Sequence, residues 1–243
     1  RGEEFLARVA ALEPDLSVVV AYGHILTDEV LSLPPKGSIN VHASLLPELR
    51  GAAPITWAIA RGHTRTGITI IRMVREMDAG PILHQVEEPI LPDETASELA
   101  LRLSELGAEA LVEALALLAS GRAREVEQDH AATTYAPKVR REDARIDWTR
   151  SARDVALHVR AMDETPGAWT LLGGEPVKLF RPSLVDLAQD AAPGTIVGTD
   201  GGLVVRAGEG WVRFGEAQAA GGRRMSASAW VNGRRIEPGL RFE

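Results

Sequence analysis

The chain has 243 residues, a net charge of −7 and an apolar fraction of 45%, enough to bury a core in one large or two modest domains. It contains no cysteine, which excludes disulfides and thiolate chemistry and suits a cytoplasmic protein. No apolar run reaches the roughly 18 residues of a membrane span, and Arg1 to Phe5 contain no apolar signal stretch, so neither membrane insertion nor secretion is expected.

Charge is unevenly spread. Residues 1–137 hold 11 Lys and Arg against 20 Asp and Glu, whereas residues 138–243 hold 16 against 14. An acidic first part and a weakly basic second part suggest two domains with different partners, although ordinary surface variation gives the same totals.

In chain order, Phe5, Leu6, Val9 and Leu12 have helical spacing. Leu16 to Ala21 is an apolar, β-branched run of the kind found in buried parallel strands. Tyr22-Gly23-His24 breaks it, and Thr27 to Leu33 predicts a short helix stopped by Pro34-Pro35. A strand is expected over Ser38 to His42, a helix over Pro54 to Arg61, and a strand over Thr66 to Val74. Arg75 to Gly80 reads as a polar turn and Ile82 to Val86 as a further strand. Thr95 and Glu98 have the spacing of a capping box. They open a long helix through Leu99, Leu103, Leu106, Leu111, Leu115 and Leu118, closed by Gly121. The alternation predicts an α/β domain over residues 1–121 with a doubly wound, mostly parallel sheet.

Residues 122–137 are polar and irregular and read as a linker. Ser151 to Met162 predicts one more helix, with Ser151 and Asp154 at capping spacing. Beyond it the chain is Gly-rich, with short period-two runs at Trp169–Leu172, Val177–Phe180, Thr195–Val197, Leu203–Arg206 and Trp211–Phe214. Turn clusters such as Thr199-Asp200-Gly201-Gly202 separate them, predicting a small antiparallel β-barrel or sandwich over residues 138–243. Trp148, Trp169 and Trp211 read as its core rather than as stacking platforms.

Three residues stand out chemically. Asn40 and His42, two apart on a strand, project to the same face at its carboxyl end, where open α/β sheets bind ligands. Histidine is the side chain most readily poised for proton transfer near neutral pH, and an asparagine amide can stabilise a developing oxyanion. Asp78, in the loop Arg75 to Gly80, can orient an imidazole or a water. Each also has an ordinary structural role open to it: a hydrogen-bonded strand end, a turn former, a capping aspartate.

The combination is more specific. Asn40-Val41-His42-Ala43-Ser44-Leu45-Leu46-Pro47, with Arg50-Gly51 and the later Asp78, resembles the formyltransferases that use 10-formyltetrahydrofolate. Their active-site pattern joins Asn-x-His and Ser-Leu-Leu-Pro to an aspartate about one βαβ step downstream. Within that superfamily, Arg50-Gly51-Ala52-Ala53-Pro54-Ile55, Thr134-Tyr135-Ala136-Pro137-Lys138 and Pro166-Gly167-Ala168-Trp169 are similar to the branch that acts on methionyl-tRNA. So is Ala144-Arg145-Ile146-Asp147-Trp148, and the likeness runs from about residue 16 to the end.

The resemblance implies formyl transfer from 10-formyltetrahydrofolate, as co-substrate and with no metal, to the methionine amine of initiator methionyl-tRNA. It implies Asn40, His42 and Asp78 as catalytic residues. Ser44, Leu45, Leu46 and Pro47 would shape the folate side of the cleft. Tyr22-Gly23-His24-Ile25-Leu26 and Met77, Ala79 and Gly80 match segments that clasp the pterin. The second domain is implied to be an OB-like barrel that binds tRNA, with Lys138, Arg140, Arg141, Arg145, Arg150 and Arg153 near its start able to neutralise phosphates. A monomer is expected.

The family begins with strand and helix units that this chain lacks, on the order of 60 residues for two βα units. The expectation is a fragment, or a start assigned too far downstream, with weak or absent activity from these residues alone. An amino-sugar-nucleotide formyltransferase shares the catalytic stretch and is the alternative activity, and a catalytically impaired tRNA- or folate-binding fragment is the non-enzymatic one.

Overall fold

The β-branched runs of the first half form one sheet. The computed structural model describes residues 2–24, 26–198 and 202–243. Ile25 and the Thr199 to Gly201 part of the predicted turn lie outside the described residues. The chain divides into two units, the first comprising residues 1–58, 64–90 and 99–138, the second residues 59–63, 91–98 and 139–243.

In the first unit, save the last two residues of α3, α1 (Gly2–Ala10), β1 (Ser17–Val20), α2 (Asp28–Ser32), β2 (Ser38–His42), α3 (Pro54–Ala60), β3 (Arg65–Arg72) and β4 (Ile82–Pro89) follow in order. Its four strands lie in the order β1-β2-β3-β4. Only β1 and β2 run parallel; β2–β3 and β3–β4 are antiparallel. The sheet is therefore mixed, not mostly parallel as the alternation of elements suggests. Antiparallel neighbours can be joined directly, whereas parallel ones need a crossover, and β3 returns to β4 through the loop 73–81 without a helix. Strand type was legible in the sequence; strand direction was not.

The long helix α4 (Ala96–Ala119) starts with the expected reciprocal cap, Thr95 N–H to Glu98 Oε2 at 2.9 Å and Glu98 N–H to Thr95 Oγ1 at 3.3 Å. Its most buried seam beyond Leu99 and Leu103 consists of small residues, Gly107, Ala110 and Ala114, and Leu106, Leu111, Leu115 and Leu118 flank it half-buried. A Cβ on Gly107 would sit 3.3 Å from Val41 Cγ1 and 3.5 Å from Ile68 Cδ1. The small seam thus lets α4 press against β2 and β3 on the face that carries Val41, opposite the face shared by Asn40 and His42.

The second unit contains α5 (Ala152–Ala161) and the strands β5 (Trp169–Leu172), β6 (Glu175–Val185), β7 (Ile196–Gly198), β8 (Leu203–Arg206), β9 (Trp211–Ala219) and β10 (Met225–Ser226). A last helix, α6 (Ala227–Arg234), follows and had no clear signature in the sequence. The strands form a curled antiparallel sheet in the order β5-β6-β9-β8-β7, with β10 beside β9. The C-terminal residues bond to both edges. Glu243 N–H reaches Leu171 O at 3.0 Å, and Phe242 N–H and Gly239 N–H reach Gly194 O and Ile196 O at 2.9 and 2.8 Å. Ser151 caps α5 as expected, accepting from Asp154 N–H at 3.1 Å. The core is apolar: Trp148 stacks on Phe242 with centroids 5.6 Å apart and meets Phe214 edge-on at 5.9 Å. Trp148 and Trp211 are buried, and Trp169 is partly so. Among the described residues no helix is long and apolar enough to cross a membrane.

Candidate active site

The parallel pairing of β1 with β2 aligns Val20 with Val41, so the chain leaves both strands at the same end of the sheet. Asn40 and His42 lie there on one face, and both reach a single carboxylate. Asn40 Nδ2 is 3.5 Å from Asp78 Oδ1, and His42 Nδ1 is 3.6 Å from Asp78 Oδ2. Gly51 N–H donates to the same Oδ2 at 2.9 Å. Residues 38 positions apart in the chain are thus drawn to one point. Asp78 has a φ of 53°, a left-handed conformation that aspartate tolerates better than most residues.

His42 is only 5% exposed. Its Nε2 lies 3.0 Å from Leu49 O. A carbonyl oxygen can only accept, so Nε2 carries the proton and Nδ1 presents its lone pair towards Asp78. Burial holds the imidazolium below the ordinary histidine range, and the Asp78 charge and the Leu49 carbonyl offset this only in part. The ring is therefore neutral at neutral pH, with an empty proton position between Nδ1 and a carboxylate.

The loop after β2 is held from inside. Ser44 is fully buried and donates through Oγ to Glu48 O at 2.6 Å. Thr69 Oγ1 donates to Ser44 O at 2.6 Å and accepts from Leu46 N–H at 3.2 Å, and Gln85 Nε2 donates to Leu46 O at 3.0 Å. Leu46 is buried, Leu45 and Pro47 half-buried, and the Leu46–Pro47 peptide is cis. Of the other predicted residues, Ala79 and Gly80 are buried and Met77 is exposed. Tyr22, Gly23 and His24 are exposed, with the Tyr22 and His24 rings edge to face at 5.5 Å, and Leu26 is half-buried.

Residues outside the predicted site complete its frame. Arg50 is 1% exposed, and its Nε and Nη2 donate to Gln128 Oε1 at 3.1 and 2.7 Å. Gln128 Nε2 donates to Asp78 O and Gly80 O, both at 2.8 Å. Gly51 has a φ of 120°, and a Cβ there would lie 2.6 Å from Ala136 O, so no larger residue fits beside the Asp78 carboxylate. Arg50 and Gly51 were visible in the motif; Gln128, in a polar stretch without periodicity, carried no sequence signal. The segment 122–137 lies within the first unit, bridged there by Val126 to Ile82 and Tyr135 to Arg50.

Residues 1–115 match the formyl transferase family, and residues 138–235 match the formyl transferase C-terminal domain. The chain is 44% identical over 244 aligned residues to the methionyl-tRNA formyltransferase of Bacillus cytotoxicus, an alignment covering all of this chain and 78% of that one. Its fold is similar to that of HypX from Aquifex aeolicus in complex with tetrahydrofolic acid, with a TM-score of 0.75 at 20% identity over 95% of this chain and 41% of that one. It is also similar to methionyl-tRNA formyltransferase from Clostridium thermocellum, with a TM-score of 0.64 at 18% identity over 86% of this chain and 81% of that one. With its Asn-x-His strand end and distant aspartate brought together on one sheet face, the chain belongs to the formyl transferase family, among the methionyl-tRNA formyltransferases.

Proposed function

We propose that this chain transfers a formyl group from 10-formyltetrahydrofolate to the methionine amine of initiator methionyl-tRNA, the step that prepares that tRNA for translation initiation. The observation that carries the reading is the convergence of Asn40, His42 and Asp78, joined to 44% identity with the methionyl-tRNA formyltransferase of Bacillus cytotoxicus. An amide donor, a neutral imidazole with a free lone pair and a carboxylate fit the demands of carbonyl-group transfer.

The folate co-substrate supplies the formyl group. The methionine amine attacks the formyl carbon, a new N–C bond forms, and the bond from that carbon to folate N10 breaks. The amine loses one proton and N10 gains one. His42 Nδ1 takes the proton, and the resulting imidazolium is stabilised by Asp78 on one side and the Leu49 carbonyl on the other. Asn40 donates to the developing oxyanion, and His42 returns its proton towards N10. Ser44 to Pro47 shape the folate side through the bonded loop, while Tyr22 to Leu26 and Met77 to Gly80 flank the pterin.

The domain roles follow the same reading: catalysis in residues 1–121, a connecting segment over 122–137, and tRNA binding by an OB-like barrel over 138–243. Arg141 and Arg145, 5.7 and 5.6 Å from the Trp169 ring centroid, support a basic surface in that barrel. The protein acts as a cytoplasmic monomer. The test is a formyl-transfer assay offering methionyl-tRNA and an amino-sugar nucleotide side by side, run on this chain and on a version extended to the length of its relatives. Formylation of methionyl-tRNA supports the reading; formylation of the sugar alone refutes it.

A further inference from the structure

Two loops meet at the candidate site, residues 43–53 after β2 and 73–81 between β3 and β4. Both are bonded to one segment. Gln128 Nε2 donates to Asp78 O and Gly80 O. Its Oε1 accepts from Nε and Nη2 of Arg50. A few residues on, Thr134 Oγ1 accepts from Leu49 N–H at 2.9 Å, Thr134 O accepts from Arg50 N–H at 2.9 Å, and Ala136 N–H donates to Arg50 O at 2.7 Å. We propose that Gln128 is a positioning residue for formyl transfer, clamping the backbone on both sides of residue 79 so that the Asp78 carboxylate stays against Asn40 and His42. The proposal rests on the reading of those three residues as the reacting site.

The chemistry of the side chain supports this. A primary amide offers two N–H donors and one oxygen with two lone pairs, and here all four are used, the donors on two carbonyls and the lone pairs on one guanidinium. A glutamate could still accept from Arg50 but could donate to neither carbonyl. Arginine or lysine could donate but not accept. Arg50, an obligate donor, makes the amide turn its oxygen towards it: it is buried, with His130 Nδ1 at 3.2 Å and Glu76 Oε1 at 3.7 Å as further polar neighbours. Gln128 itself is 5% exposed. The arrangement fixes which end of the amide faces the Asp78 loop, and that loop holds its aspartate in the left-handed region with no regular structure of its own. Displacement of a reacting group by about 1 Å costs on the order of 10²-fold in rate.

The test compares Gln128→Met, which removes both the donors and the acceptor without adding charge, with Gln128→Glu, which removes the donors and keeps the acceptors for Arg50. Both are expected to lower kcat by about 10- to 100-fold, with KM for methionyl-tRNA and for the folate nearly unchanged. In an Asp78→Asn background, Gln128→Met should add almost no further loss, because the group it positions is already disabled. A merely structural role predicts additive losses. Loosening the loop should also move the acidic limb of the rate profile of Gln128→Met to lower pH, as the carboxylate withdraws from His42 while the Leu49 carbonyl stays. Full kcat in a folded Gln128→Met protein, or additive losses, overturns the positioning role. Should that variant not fold, the same readings on Gln128→Glu decide. Undiminished transfer by Asp78→Asn overturns instead the site reading beneath it.

Discussion

The first unit buries polar side chains where the second buries almost only apolar ones. Of the ten buried polar residues among the described residues, seven lie in the first unit, while the second holds only Glu94, Thr95 and Thr170. The first unit's polar groups are cross-wired: His42 to Leu49 and Asp78, Arg50 to Gln128, Thr69 to Ser44. The second unit's centre is an apolar cluster around Trp148, Phe214 and Phe242, with the Trp148 indole N–H satisfied by Thr170 at 2.9 Å. Buried polar networks set geometry at the cost of desolvation, whereas apolar packing supplies stability without aiming any group. The first unit thus holds its buried polar groups in fixed directions, whereas the second holds its shape by apolar packing.

Substitutions should break along that line. The largest effect is expected for His42→Asn, which removes the proton acceptor and should lower single-turnover formyl transfer by about 10²–10⁴-fold. Its urea midpoint should change far less than its rate; a variant that keeps its rate would end the assignment of His42. The converse is Phe214→Ala in the second unit, fully buried against Trp148. It should cost about 3–5 kcal/mol in denaturant unfolding, with transfer per folded molecule retained. A loss below about 1 kcal/mol would show that this core does not hold the unit.

Titration sharpens the same contrast. Burial holds the imidazolium forms of His42 and His158 below the ordinary histidine value of about 6.5. For His158 the Ala144 carbonyl opposes burial and Arg150 reinforces it. In the window between the lowered native values and about 6.5, the unfolded chain binds protons more readily than the native one. Stability is thus complete above that window and falls as pH drops through it, by at most about 1.4 kcal/mol per pH unit for each imidazole. Urea midpoints between about pH 8 and about pH 5 test this, and His158→Asn should flatten the slope. Only His42 should also move the rate, with an acidic limb lying below the ordinary histidine range. The smallest effect belongs to Ser151→Ala, which removes the α5 cap and should cost about 1 kcal/mol, with no change in kcat.

Much of this was legible beforehand. Asn40 and His42 share a strand face because the pleat has a period of two, and that follows from their spacing alone. Capping at Thr95–Glu98 and Ser151–Asp154 was equally local. The mixed direction of the first sheet was not legible, because periodicity records which face a residue occupies and is silent on which way the strand runs. The burial of Gly107, Ala110 and Ala114 ahead of Leu106, Leu111, Leu115 and Leu118 was also hidden, since only the proximity of β2 and β3 makes small residues the better fit.

The stretch Ser38 to Gly51 illustrates the division. Its sequence determined the strand, the shared face of Asn40 and His42, and the family to which the chain belongs, because these rest on neighbours a few residues apart and on a motif read in order. Tertiary structure alone decided that Asp78 meets both side chains and that Leu49 fixes the imidazole proton on Nε2. It also decided that Gln128, 50 residues beyond Asp78 in a stretch with no pattern, completes the frame. Hydrogen bonds between distant loops depend on where the backbone returns in space, and composition and spacing do not encode that return.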